Sequence, residues 1–318
     1  MKITVISLDK WGYNQYIVDE LNSRGIITSH IDYHKLKYEY PTVLHKLFNF
    51  FSKTLFNYNL KRQHLKKEIF KVLRNQEKQD AILIIKGDDL SVSTLKKIKK
   101  STDEMIAFFN DSMSRYPRMK KIFPYFDEVY SFEPRDVSKY NFKSITNYIY
   151  FDYKETPKKD EEFGVFNISS LDKRTKVMPD FARYFKEKNI DYKLIAFSNK
   201  EHHELSELNI EVTQNIYGLE DVFNLVTNSK ILLDIQRPKQ QGLSFRVMEG
   251  IALEKKIIST NTDLVNYDFY NPNNIVIVDS NNIYIDEIFF RTPYESIPPE
   301  IVQKYHVSSW VNEVFNLK

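Results

Sequence analysis

Two rhythms alternate along this chain: short continuous apolar runs and longer stretches whose apolar positions recur at helical spacing. The first run, residues 3–8 (ITVISL), has the length of a buried strand. A polar turn with Asp9, Lys10 and Gly12 follows, and Tyr13, Tyr16, Ile17 and Leu21 then share a helical face. Runs at 26–33, 81–86, 105–109, 129–132 and 144–150 predict further strands, with helical period over 41–79 (broken near 57–59) and 91–100. Residues 152–162 (DYKETPKKDEE) lose all apolar period and contain a proline, as an inter-domain linker does. Beyond it, runs at 163–168, 192–197, 210–212, 231–235, 256–260 and 275–278 predict a second set of strands, followed by a loop with Pro293, Pro298 and Pro299. The last helix carries Val307, Trp310, Val311, Val314 and Phe315 at i, i+3, i+4, i+7 and i+8. Strands alternating with helices predict α/β architecture with parallel sheets. The expected organisation is two Rossmann-like domains, 1–155 and 163–303, and a terminal helical segment, 304–318.

Composition changes this picture little. A length of 318 residues suits two cores of ordinary size, and 42% hydrophobic with 28% charged residues is usual for a globular chain. No apolar run reaches the roughly 18–20 residues of a membrane span. The start, MKITVISLDKWGY, fits a first strand better than a signal peptide, so a cytoplasmic location is expected. Without cysteine there is neither a disulfide framework nor a thiolate metal site. The net charge of +3 is small, which leaves long-range attraction to local clusters. One such cluster is 61–78, with seven Lys or Arg against two Glu, beside the Phe- and Leu-rich segment VLHKLFNFFSKTLF. That pairing is what an anionic membrane surface needs, although apolar residues at helical spacing usually pack on their own sheet and Lys-rich faces are usually solvated. Nucleic acid is not expected as a partner, since no recognition module accompanies the basic run.

Candidate chemistry gathers where strands end. In open α/β sheets ligands sit beyond the strand carboxyl ends. Asp9, Lys86-Gly87-Asp88-Asp89, and Asn110-Asp111-Ser112 with Arg115 all fall there, although each also reads as a turn or a helix cap. Gly12, Gly87, Gly164 and Gly242 lie at or near strand ends or loops, where backbone must turn or approach a ligand closely. No G-x-G-x-x-G is present, so nothing argues for NAD. Asp88-Asp89 lacks the third position of a DxD motif, which disfavours a metal-dependent site. In the second half, Ser169-Ser170-Leu171-Asp172-Lys173-Arg174 leads into a helix, a combination of hydroxyls and cations that suits phosphate or is merely a surface turn. The densest signal is 231–261, ILLDIQRPKQQGLSFRVMEGIALEKKIISTN: strand, loop with Pro238 and Gly242, helix, strand. Leu243, Val247, Ile251 and Leu253 can face a sheet while Arg246 and Glu249 share another face. The helix N-terminus carries about half a positive charge and invites an anion.

The run QGLSFRVMEGIALEKKII resembles the donor-sugar motif of two-domain GT-B glycosyltransferases, and most closely that of the CgeB-like and lipopolysaccharide-core (RfaS-like) transferases. Arg246 inside the motif and the upstream FFNDSMSRYP…YFDEVYSFEPRD segment carry the likeness. The resemblance implies a GT-B fold, with two domains facing a cleft and the last helix crossing back to the first domain. It implies transfer of a sugar from a nucleotide-sugar donor to a bacterial surface glycan, lipopolysaccharide or capsule, free or lipid-linked, at the inner face of the cytoplasmic membrane. Glu249 falls on the glutamate that binds the nucleotide ribose; the family's first glutamate is replaced by Gln241. Donor binding is expected from Glu249, Arg246, Gln241, Gly242, Ser244, Ser170, Lys173 and Arg174, and acceptor contacts from Lys86 and Arg115. The base is expected among Asp111, Asp9 and Asp88, with Asp111 ranked first. No cofactor or metal is expected beyond the co-substrate, because a helix dipole with Arg or Lys can carry leaving-group charge. A nucleotide-sugar 2-epimerase and a non-catalytic carbohydrate-binding relative remain alternatives.

Overall fold

The structure, a computed structural model, describes residues 1–56, 58–154, 161–171, 177–200 and 202–317. It divides into two compact units, Met1–Ile145 with Val311–Lys318, and Thr146–Trp310.

The first unit holds strands β1 (Lys2–Ser7), β2 (Ile27–Asp32), β3 (Gln79–Ile85), β4 (Thr102–Phe109), β5 (Glu128–Ser131) and β6 (Lys143–Ser144). Its helices are α1 (Gln15–Ser23), α2 (Val43–Phe56), α3 (Leu60–Leu73), α4 (Val92–Ile98), α5 (Met119–Ile122) and α6 (Pro134–Tyr140). The sheet is parallel throughout, in the order β2-β1-β3-β4-β5-β6. Parallel strands need crossover connections, so both sheet faces are covered and the central strands are apolar on both sides. Ala81 to Ile85 of β3 and Met105 to Phe109 of β4 are accordingly buried without a break. Leu65, Ile69, Phe70 and Leu73 of α3, with Leu95 and Ile98 of α4, complete one core cluster.

The second unit repeats the plan with β7 (Phe163–Ser170), β8 (Tyr192–Phe197), β9 (Ile210–Thr213), β10 (Ser229–Asp234), β11 (Lys256–Ser259) and β12 (Ile275–Ile277). Its helices are α7 (Val177–Glu187), α8 (His203–Ser206), α9 (Leu219–Thr227), α10 (Phe245–Ala252), α11 (Glu287–Arg291) and α12 (Pro299–Lys304). The last helix, α13 (Val307–Phe315), spans the division between the units. The parallel order β12-β11-β10-β7-β8-β9 is the doubly wound arrangement, with the first strand of the unit at its centre. Gly164 is essential to the pairing of β7 with β8: a Cβ there would stand 2.2 Å from the Asp191 carbonyl oxygen. Gly164→Ala is therefore expected to lower stability by about 1–3 kcal/mol or more, read as a fall in the urea midpoint.

Three expectations need correction. The strand expected over 144–150 shrinks to Lys143–Ser144. Tyr148, Ile149 and Tyr150 are buried in the second unit instead, with the Tyr148 ring against Phe245 and Trp310, and Ile149 bridging His306. The units consequently divide between Ile145 and Thr146 rather than within 152–162, because an apolar run goes where helices can cover it. At the other end, Tyr305 packs with Ile149 and Val302 in the second unit, and the chain joins the first unit only from Val311. The stretch after β12 is also not all loop. Asp286 accepts from the Ile288 N–H to cap α11, and Pro299 opens α12 at a position where its missing N–H costs nothing.

Candidate functional site

In each sheet the strand order reverses once. Chain connections leave in opposite directions from β1 and β3 in the first unit and from β7 and β10 in the second. Those reversals leave crevices at the strand carboxyl ends, the standard ligand positions of such folds. The sequence places polar groups at both.

In the first unit Asp9 follows β1, Lys86 and Asp88 follow β3, and Asp111 and Arg115 follow the neighbouring β4. The three carboxylates differ in what holds them. Asp9 accepts the Gly12 N–H on Oδ1 and the Gln15 N–H on Oδ2, both at 3.0 Å, and so ties down the start of α1. Burial raises its pKa, while the Asn14 backbone, His30 and the Gln15 backbone oppose the rise. Asp111 lies 3.5 Å from the Arg115 guanidinium. The loop bearing both is pinned by Asp136, which accepts the Met113 N–H at 2.6 Å. Asp88 is different: its Oδ1 is buried with no hydrogen-bond partner among the described residues. Lys86 Nζ stands 3.9 Å away, close enough for attraction and too far for a hydrogen bond. Burial is the main cause raising the Asp88 pKa, with Lys86 pulling the other way.

Backbone strain marks the same place. Lys86 and Gly87 both adopt positive φ, 67° and 70°. A non-glycine residue in that region is held there by its surroundings. Here Lys86 N–H donates to the Phe108 carbonyl at 2.8 Å, and Lys86 Nζ sits 3.6 Å from the centre of the Tyr116 ring. The Arg115 guanidinium approaches that ring too, at 5.2 Å. The sequence offered no reason to single out Tyr116, Tyr33 or Arg62, yet the Tyr33 hydroxyl and Arg62 Nη2 are, like Asp88 Oδ1, buried and without a hydrogen-bond partner among the described residues. Asp88 and Asp89 act electrostatically on both.

In the second unit Ser169 and Ser170 end β7 while Asp234 ends β10, the two strands flanking the reversal. The loop from β10 to α10 is stitched in place. Gln236 N–H donates to Thr260 Oγ1 at 2.8 Å, Gln236 Nε2 to the Gly242 carbonyl at 2.8 Å, and Asn261 Nδ2 to the Gln241 carbonyl at 2.9 Å. Ser244 caps α10, accepting from the Val247 N–H and donating its hydroxyl to Asp234 Oδ1 at 2.8 Å. Asp234 also takes the Ser259 hydroxyl at 2.7 Å, so one buried carboxylate sets the start of α10 against both β10 and β11. Its charge inside the apolar run ILLDI was the signal that could have found it. On β7, Ser169 Oγ and Asn167 Oδ1 are buried and without partners among the described residues. Lys173 and Arg174 lie outside the described residues.

Arg246 and Glu249 do come together, but inward. Glu249 is 0% exposed. Oε2 receives Arg246 Nη1 at 2.6 Å, and Oε1 receives the Tyr150 hydroxyl at 2.8 Å. The Arg246 guanidinium lies 5.1 Å from the centre of the Phe166 ring, and its side chain is 10% exposed. Burial raises the Glu249 pKa against the pull of both partners. A ribose reaching this carboxylate would have to displace one of them. Tyr150 was invisible as a partner because its position in the second unit follows from tertiary packing. No group of three His, Asp or Glu among the described residues is placed to hold a metal ion.

No protein-family model matches the chain, and no curated protein does. Solved structures match over its whole length. HepE of Anabaena, in complex with UDP and glucose, aligns with a TM-score of 0.60 at 12% identity over 100% of both chains. The catalytic domain of starch synthase IV from Arabidopsis thaliana, bound to ADP and acarbose, gives 0.57 at 10% identity over 99% of this chain and 97% of that one. UDP-GlcNAc 2-epimerase from Neisseria meningitidis, bound to UDP-GlcNAc, gives 0.56 at 12% identity over 99% and 100%. At such identities the likeness is one of fold, the Rossmann-like two-domain α/β architecture of the GT-B class.

Proposed function

We propose that this chain is a glycosyltransferase related to the CgeB-like and lipopolysaccharide-core enzymes. It moves a sugar from a nucleotide-sugar donor to a bacterial surface glycan, lipopolysaccharide or capsule, carried on lipid at the inner face of the cytoplasmic membrane. The second unit takes the donor and the first the acceptor. The observation that carries the reading is the carboxyl-end crevice between β7 and β10, where Asp234 of β10 holds the capped start of α10 and the end of β7 carries Ser169, whose buried hydroxyl has no partner among the described residues. A helix's first turn leaves backbone N–H groups without intrahelical partners, and its dipole favours negative charge. A diphosphate supplies both the acceptors and the charge.

Transfer then runs without a required metal. The acceptor hydroxyl oxygen attacks the anomeric carbon, the bond from that carbon to the diphosphate oxygen breaks, and its electron pair leaves with the nucleotide. Charge growing on the diphosphate is met by the start of α10, with Lys173 and Arg174 assigned to the same task by resemblance. The displaced acceptor proton goes to Asp88, the carboxylate whose buried Oδ1 has no hydrogen-bond partner among the described residues, while Lys86 and Arg115 orient the acceptor. Arg246 fixes α10 against Phe166 of β7, and Glu249 ties it to Tyr150.

Ser169→Ala separates ligand binding from folding. No hydrogen bond is lost in the free protein, so its thermal midpoint should hold, whereas calorimetric affinity for a nucleoside diphosphate should fall about 2- to 10-fold. Unchanged affinity would remove the crevice assignment. Mass spectrometry of a nucleotide-sugar panel in deuterated water identifies the reaction. Transfer or hydrolysis without exchange at C-2 is expected, and deuterium at C-2 of recovered donor would make the protein an epimerase instead.

A further inference from the structure

Helix α2 is inside out for a member of a soluble core. Of its fourteen residues only Asn49 and Ser52 are buried. Asn49 anchors it by polar bonds, donating to the Tyr40 hydroxyl at 2.6 Å and accepting the Leu60 N–H at 2.7 Å. Its apolar residues, Val43, Leu44, Leu47, Phe48, Phe50, Phe51, Leu55 and Phe56, are between 49% and 77% exposed. None joins the core cluster to which α3 contributes four side chains. Leu44, Phe48, Phe51 and Leu55, spaced i, i+4, i+7 and i+11, form one continuous stripe. Contiguous apolar surface of this kind marks a place where something docks.

We propose that α2 lies in the surface of an anionic lipid bilayer with the Leu44–Phe48–Phe51–Leu55 stripe immersed. Charge selects the occupant. Residues 43–74 carry eight Lys or Arg and one Glu, a net +7 in a chain whose total is +3, so the remainder is net −4. A second copy seated on this face would bring two such basic segments together, whereas anionic headgroups attract them and the acyl layer accepts the Phe and Leu side chains. Fourteen residues make a helix of about 21 Å, shorter than the roughly 30 Å hydrocarbon core, so α2 lies along the surface rather than across it. Among the described residues no helix is long and apolar enough to cross a membrane. The surface also adjoins the candidate acceptor end. Arg62, in the first turn of α3 just after α2, interacts electrostatically with Asp88 and Asp89 beyond β3. The inference deepens the acceptor side of the proposed function and rests on it for the use of this surface, which is to present a lipid-linked glycan to the first unit.

Co-sedimentation of the full chain with vesicles of phosphatidylcholine, alone or mixed with phosphatidylglycerol, tests it. Binding to the mixed vesicles is expected to be about tenfold tighter or more, and to weaken as salt rises. Phe48→Ser with Phe51→Ser should lose about tenfold or more of that binding at an unchanged thermal midpoint, since both rings are exposed. A Phe51→Trp variant should be quenched by brominated acyl chains. Equal pelleting of the double-serine variant, equal pelleting with neutral vesicles, or a lipid-free dimer that the double variant abolishes would each overturn the inference. Nucleotide calorimetry on the same variant keeps the two proposals apart, because loss of vesicle binding with intact diphosphate affinity touches the membrane surface alone.

Discussion

Asp88→Asn is expected to lower turnover by on the order of 100-fold or more while leaving nucleoside diphosphate affinity unchanged. Asn keeps the size of the side chain and removes the basic oxygen, and Asp88 Oδ1 is, among the described residues, buried with no hydrogen-bond partner. The pH dependence provides a signature. A base works only when deprotonated, so activity falls as pH drops through its pKa, and burial places that fall above the usual aspartate range. The acid limb of kcat/KM should sit correspondingly high and vanish in the variant. The linkage sign gives a second readout. A folded-state pKa above the unfolded value favours the native state at low pH, a contribution lost as pH rises through the folded pKa. At neutral pH the Asn variant should therefore be at least as stable as the parent. Asp9→Asn should show little loss of rate, because both Asp9 oxygens are already committed to the Gly12 and Gln15 N–H groups. A fully active Asp88→Asn enzyme that keeps its acid limb would move the base elsewhere.

Glu249→Ala is expected to cost about 3–5 kcal/mol of folding stability, the range for removing one partner of a buried ion pair. The loss has two parts: the Arg246 guanidinium is left uncompensated beside Phe166, and the Tyr150 hydroxyl loses its acceptor. Glu249→Gln retains a carbonyl acceptor and should cost less. Replacing both charges, Arg246→Met with Glu249→Leu, should restore most of the stability, since it is the orphaned charge that is expensive. Urea midpoints for the three variants check the order. An Ala variant that unfolds at the parental midpoint yet no longer binds nucleotide would instead make Glu249 a ribose ligand, as the motif resemblance implies.

Much of the fold was legible because its signals are local. Buried parallel strands need continuous apolar runs, and eleven of the twelve strands announce themselves that way; Lys143–Ser144 is too short and polar to do so. The break between α2 and α3 was readable at Asn59, which caps α3. The strand-end positions of Asp9, Lys86, Asp88 and Asp111 were likewise readable, because a turn must follow each run. The order of the strands was not, and with it the identity of the two crevices, since hydrogen-bond partners in a parallel sheet are set by non-local packing.

What the residue order alone determined was the set of elements, the α/β class and the edge on which the chemistry collects, all consequences of periodicity and turn chemistry. Tertiary structure decided which of those polar groups are open and which are already bonded. It turned Glu249 inward onto Arg246 and Tyr150, committed Asp9 to capping, and left Asp88 Oδ1 and Ser169 Oγ without a hydrogen-bond partner among the described residues. It also decided that the apolar stripe of α2 faces out while its Asn and Ser face in. A helical pattern specifies that one face is apolar; only the neighbours available in the fold specify whether that face is covered.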